Sequence, residues 1–145
     1  DKEMGDLTVN FGLASTDNNQ FELVLNLRYP NGVNYDKDVF EKIANLLPEG
    51  FGLDVDHHQK LLYKDPNSRL IKTLMKVYQK HTNDMTPPIS IGGGTFARAT
   101  ENVVAFGPHF IDKPTYIHQK DEFIDIDDLM KTLAIYTESL YELAK

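Results

Sequence analysis

The sequence predicts an α/β chain in two parts, a mixed α+β portion followed by an α/β portion. Three observations carry this. Two runs near the start alternate apolar and polar residues with the period of a strand. A polar stretch from His57 to Lys64 then breaks the pattern. Beyond it, two long segments space their apolar residues three and four apart, as amphipathic helices do.

In the first part, Leu7, Val9, Phe11 and Leu13 share one face of a strand. Ser15 to Gln20 is rich in turn formers and reads as a longish loop. A second strand follows, with Phe21, Leu23, Leu25 and Leu27 on one side and Glu22, Val24, Asn26 and Arg28 on the other. The pair predicts an antiparallel hairpin. Asp36 is the expected N-cap of a short helix with apolar positions Val39, Phe40, Ile43 and Leu47. Pro48-Glu49-Gly50 ends that helix, and Phe51, Leu53 and Val55 suggest a third strand.

A domain boundary is expected near residue 60, giving portions 1–60 and 61–145. Asp65-Pro66 is the expected start of a helix whose stripe is Leu70, Ile71, Leu74, Val77 and Tyr78. Val103-Val104-Ala105-Phe106 has the continuous apolar character of a strand inside an α/β sheet. A loop carries Pro108, Pro114 and His118, and a last helix from about Asp127 shows the stripe Leu129, Leu133, Tyr136, Leu140 and Leu143.

Composition narrows the function. A 41% hydrophobic and 26% charged chain of 145 residues belongs with globular domains that bury a core. Nothing in it is long and apolar enough to span a membrane, so no membrane partner is expected. The net charge of −7 argues against a nucleic-acid partner, which would need clustered Lys and Arg. With no Cys, disulfides and thiolate metal sites are excluded. The opening Asp1-Lys2-Glu3-Met4 has no signal-peptide character, and the expected location is the cytoplasm.

Taken as residues alone, the candidate chemistry stays open. His118 sits among carboxylates and is either a surface histidine or a metal ligand. The Gly92-Gly93-Gly94-Thr95 loop is either a tight turn or a place where a ligand approaches the main chain, and it lacks the ending of a P-loop. Arg28, opposite the leucine face, is either a surface cation or a clamp for a carboxylate. His57 and His58 are adjacent and read as structural or solvent-exposed, as do His81 and His109.

Four ordered motifs add a resemblance: Gly92-Gly93-Gly94-Thr95-Phe96-Ala97-Arg98, Asn102 to Gly107, Ile117-His118-Gln119-Lys120-Asp121-Glu122-Phe123, and Asp127 to Lys131. Together they closely resemble the end of PepV-type dipeptidases, relatives of carnosinases and glutamate carboxypeptidases. Met4 to Thr8 and Asn26-Leu27-Arg28-Tyr29-Pro30 resemble the later part of the same family's lid domain. The resemblance implies a fragment of a two-domain metallopeptidase, with 1–60 finishing the lid and 61–145 returning to the catalytic domain. It implies that His118 ligates one of two divalent metals (zinc, manganese or cobalt). Arg28 would grip the terminal carboxylate of a dipeptide substrate, Gly92, Gly93, Gly94 and Thr95 would line its pocket, and Glu122 would either support a metal ligand from behind or be structural.

The family's other metal ligands and its catalytic Glu-Glu pair have no recognisable motif here. The expected partner is therefore the remaining N-terminal part of the same enzyme. The isolated chain is expected to be inactive and to bind no metal stably. The alternative is a stand-alone, non-catalytic binding or interaction module on the same fold.

Overall fold

A computed structural model describes residues 4–107 and 109–145. Asp1, Lys2 and Glu3, on which the reading of the N-terminus rested, and Pro108, assigned to a loop, lie outside the described residues. Among the described residues the fold is mixed α/β, a two-stranded antiparallel sheet with three α-helices. Two compact units divide it: Asp1–Tyr63 with Ser90–Glu101, and Lys64–Ile89 with Asn102–Lys145.

The first unit is built on a hairpin of β1 (Thr8–Asp17) and β2 (Gln20–Arg28). The connection is shorter than the turn-rich composition suggests. Asn18 and Asn19 alone make it, both with positive φ (48° and 65°), the requirement of a two-residue hairpin turn that asparagine tolerates.

The register carries a second correction. Val9 pairs with Leu27 and Phe11 with Leu25, but beyond an irregularity at Gly12 the next pair is Leu13 with Val24. The bulge moves Leu13 from the face of Phe11 to that of Val24, Asn26 and Arg28, because one extra residue reverses the alternation. Gly12 fits the tight spot: a Cβ there would come within 2.7 Å of the Asn26 amide nitrogen.

After the hairpin, a π-helical turn (Tyr35–Phe40) runs into α1 (Glu41–Leu46). Asn34, not Asp36, is the cap. Its side chain accepts from the Lys37 N–H at 3.1 Å, and its own N–H donates to Asp38 Oδ2 at 2.9 Å, a reciprocal pair that satisfies two end donors. Val39 is buried beneath this turn. The expected strand at Phe51, Leu53 and Val55 is absent, since the described sheet has two strands and neither takes this segment as a partner. Phe51 instead meets Phe21 edge to face, with ring centroids 6.4 Å apart.

The second unit centres on α2 (Arg69–Thr82) and α3 (Ile126–Ala144). Helix α2 begins three residues later than Pro66 suggests, because Asp65 spends its carboxylate on a preceding turn, accepting from Asn67 N–H at 2.8 Å. Ser68 caps the helix through Ile71 N–H. Asn83, left-handed at φ 57°, closes it, its N–H bonding the Gln79 carbonyl. Ile71, Leu74 and Val77 are the buried members of its stripe, as periodicity predicts.

In α3 the buried face is Thr132, Ile135 and Ser139, whereas Leu129, Leu133 and Leu140 are exposed. The apolar residues nearly encircle this helix, so periodicity could not choose which side turns inward. Val77, Phe110 and Ile135 form the core, with Tyr78, Phe106 and Tyr136 against it. Tyr136 donates its hydroxyl to the Phe106 carbonyl at 2.6 Å. That bond occupies backbone that the expected strand Val103–Phe106 would have offered to a neighbour, and no strand forms there.

Candidate substrate-binding and metal-ligand residues

In the first unit, β2 ends on Arg28, and its guanidinium reaches a residue 64 positions away. Nη1 donates to the Gly92 carbonyl at 2.8 Å. A Cβ at Gly92 would lie 3.0 Å from that nitrogen and 3.5 Å from Arg28 Cδ, so a side chain there would press on the guanidinium and shift it slightly. A guanidinium has five N–H donors in a planar fork. One contact to a neutral carbonyl leaves N–H donors to receive an anion. The structure thus brings Arg28 together with the glycine loop.

Thr95 stands at the far end of that loop, before a 3₁₀ turn of Phe96–Ala99, where its carbonyl accepts from Arg98 N–H at 3.1 Å. Ala97 is buried within this turn, which anchors it, while Phe96 is almost wholly exposed.

The structure adds residues around this contact that sequence reasoning left without a role. Tyr29, next to Arg28, shares a hydrogen bond of 2.7 Å with His58 Nε2. The His58 ring stacks on Tyr35 with centroids 3.8 Å apart. Burial first, and then the Tyr35 and Asp36 charges, push the Tyr29 phenol up, opposed by nearby Arg98. Arg98 in turn donates to the Gln59 side-chain oxygen at 3.4 Å. The only sequence signal for this cluster was the position of Tyr29 and Arg98 inside the motifs. Nothing in the adjacent pair His57-His58 distinguished the second ring from the first.

In the second unit, His118 is exposed in the segment preceding α3 and adopts the left-handed conformation (φ 61°), as does Asp121 (φ 60°). His and Asp are among the non-glycine residues that tolerate this region. Glu122 addresses the main chain of His118, accepting its N–H at 3.2 Å through Oε2. Tyr116 and Phe123 close the segment, their rings 4.5 Å apart. The carboxylate therefore holds the backbone that carries the imidazole.

Among the described residues no group of three or more His, Cys, Asp and Glu is arranged to hold a metal ion. A structural or catalytic metal ordinarily takes at least three protein ligands, and a single imidazole does not meet that requirement. No helix among the described residues is long and apolar enough to cross a membrane.

Comparison with known proteins covers nearly the whole length. The profile of Peptidase family M20/M25/M40 matches residues 5–142. A Staphylococcus epidermidis protein named "Putative dipeptidase" is 40% identical over 142 residues, 97% of this chain and 30% of the relative. Proteins of the same name from Staphylococcus aureus strains USA300 and NCTC 8325 are 39% identical over 142 residues, with the same coverage. The chain thus spans 30% of the length of these curated relatives.

Proposed function

Because the chain belongs to Peptidase family M20/M25/M40, we propose that it is the C-terminal part of a metal-dependent dipeptidase of the cytoplasm, with residues 1–60 finishing a lid and 61–145 in the catalytic domain. Its substrates are dipeptides, and its partner is the remaining N-terminal part of the same enzyme. In this reading Arg28 receives the terminal carboxylate of the dipeptide. Gly92, Gly93, Gly94 and Thr95 line the pocket beside it.

The observation that carries the reading is the 2.8 Å contact of Arg28 Nη1 with the Gly92 carbonyl. Two elements that the motifs assign to the substrate, far apart in sequence, meet in one unit. The bond fixes one arm of the guanidinium, and the remaining N–H groups of the fork match the two oxygens of a carboxylate. Holding the carboxylate orients the scissile bond and reduces the entropy cost of reaction.

His118 contributes one ligand to a two-metal centre, with zinc, manganese or cobalt as the ions, and Glu122 holds the backbone from which the ring projects. The other ligands come from residues outside this chain. Alone, the 145-residue chain has no metal-dependent step to perform and is inactive.

The test is hydrolysis of a dipeptide by the longer protein, before and after chelation and after return of the metal. Activity lost on chelation, restored by zinc, manganese or cobalt, and abolished by His118→Ala supports the reading. Full activity of the His118→Ala enzyme would remove His118 from the metal site, and turnover by the 145-residue chain alone would refute the division of labour.

A further inference from the structure

We propose that His58 is a positioning residue for the substrate carboxylate, holding Arg28 and the glycine loop in register with each other. The inference rests on the assignment of Arg28 to the substrate, and it concerns a residue that neither the motifs nor the family comparison assigns.

The geometry is a clamp built from two consecutive residues. His58 Nε2 bonds the Tyr29 hydroxyl at 2.7 Å, and Tyr29 follows Arg28 directly in the chain. Gln59 accepts from Arg98 Nη1 at 3.4 Å, and Arg98 lies in the 3₁₀ turn that ends the glycine loop. Gly94 sits against the same pair, since a Cβ there would meet Arg98 Nη1 at 3.6 Å and Gln59 Oε1 at 3.7 Å. Residues 58 and 59 therefore hold a neighbour of each partner of the Arg28–Gly92 contact, Tyr29 beside Arg28 and Arg98 beyond the glycine loop, from one short segment.

The clamp needs a ring at position 58. The imidazole stacks on Tyr35 at 3.8 Å with planes 15° apart, and Tyr29 lies 5.9 Å from Tyr35. The stack sets the plane of the imidazole and so the direction in which Nε2 points. Tyr35 begins the π-helical turn that buries Val39, so the stack rests on an anchored element. Loss of the imidazole would free Tyr29, and with it the strand end from which the Arg28 guanidinium projects.

The experiment has two arms. In the 145-residue chain, backbone amide NMR signals of Gly92 to Thr95 should move in both His58→Ala and Tyr29→Phe, while those of Lys80 and Glu138 in the other unit stay in place. In the longer enzyme, His58→Ala should raise KM for a dipeptide about three- to tenfold, the effect of one lost hydrogen bond, and change kcat less. His58→Gln, whose amide can reach the position of Nε2 but cannot form the ring stack on Tyr35, should restore only part of the affinity. Loop amides unmoved in both variants would overturn the proposal, as would an unchanged KM in His58→Ala. If the longer enzyme hydrolyses no dipeptide at all, the proposed function fails, and the loop amides alone decide whether His58 positions the loop.

Discussion

Truncating Ile135 to alanine should cost far more stability than the same change at Leu140, although both are apolar residues of α3. Ile135 is 3% exposed and packs with Val77 and Phe110, whereas Leu140 is 69% exposed. The isoleucine loses three carbons, or roughly 2.4 kcal/mol at about 0.8 kcal/mol for each buried group. The cavity left behind brings the expected loss to about 2–5 kcal/mol. The better helix propensity of alanine returns a few tenths of a kcal/mol at most. At about 2–4 °C per kcal/mol for a chain near this size, Tm should fall by roughly 5–15 °C. Leu140→Ala should stay within about 0.5 kcal/mol of the parent. Urea unfolding and thermal melts of the 145-residue chain, followed by circular dichroism, measure both. Equal costs, or a larger cost at Leu140, would show that the helix turns the opposite face inward, and the account of its packing would fall.

Two further predictions concern titration in the second unit. Glu138 bonds Lys80 Nζ and His81 Nε2, each at 2.7 Å, and these hydrogen bonds, Lys80 first, hold its carboxyl below the usual glutamate value of 4.5. Its stabilising contribution should be complete above that value and vanish as pH falls through the lowered one. Glu138→Gln should therefore flatten the acid limb of a Tm–pH profile, and an unchanged limb would count against the linkage. Tyr78 donates to Asp84 Oδ2 at 2.8 Å, and burial together with that carboxylate pushes the phenol up to about 12. The stability it contributes is full below the ordinary tyrosine value of 10 and lost as pH rises toward 12. Ultraviolet titration of the parent minus Tyr78→Phe should show this late ionisation, and a difference centred on 10 would contradict it.

The inner face of α2 was legible because a stripe at i, i+3 and i+4 is a property of one segment. So Ile71, Leu74 and Val77 were correctly assigned there, whereas the stripe read for α3 named residues that are largely exposed. Strands were harder, since a strand exists only with a partner. Phe51, Leu53 and Val55 have the right composition, but no strand among the described residues pairs with them. The apolar run Val103–Phe106 spends a carbonyl on Tyr136 instead. A bulge is a property of two strands at once, so the displacement of Leu13 at Gly12 left no mark in the spacing of β1. The same logic governs the site. Ordered motifs singled out Arg28 and Gly92, while the aromatic support from Tyr29, Tyr35 and His58 depends on how separate segments fold together.

The central claim is that Arg28 receives the carboxylate of a dipeptide, and one comparison tests it most directly. The longer enzyme and its Arg28→Ala variant are assayed with a dipeptide and with the same dipeptide amidated at its C-terminus. Loss of a charge-assisted hydrogen bond costs roughly 1.5–3 kcal/mol, about ten- to a hundredfold in kcat/KM. The parent should prefer the free carboxylate by that factor, and the variant should lose the preference by slowing on the free dipeptide alone. Arg28→Lys should recover little, because a single ammonium cannot reproduce the planar fork. A variant that keeps the full preference of the parent for the free carboxylate would contradict the account and return Arg28 to the surface cations.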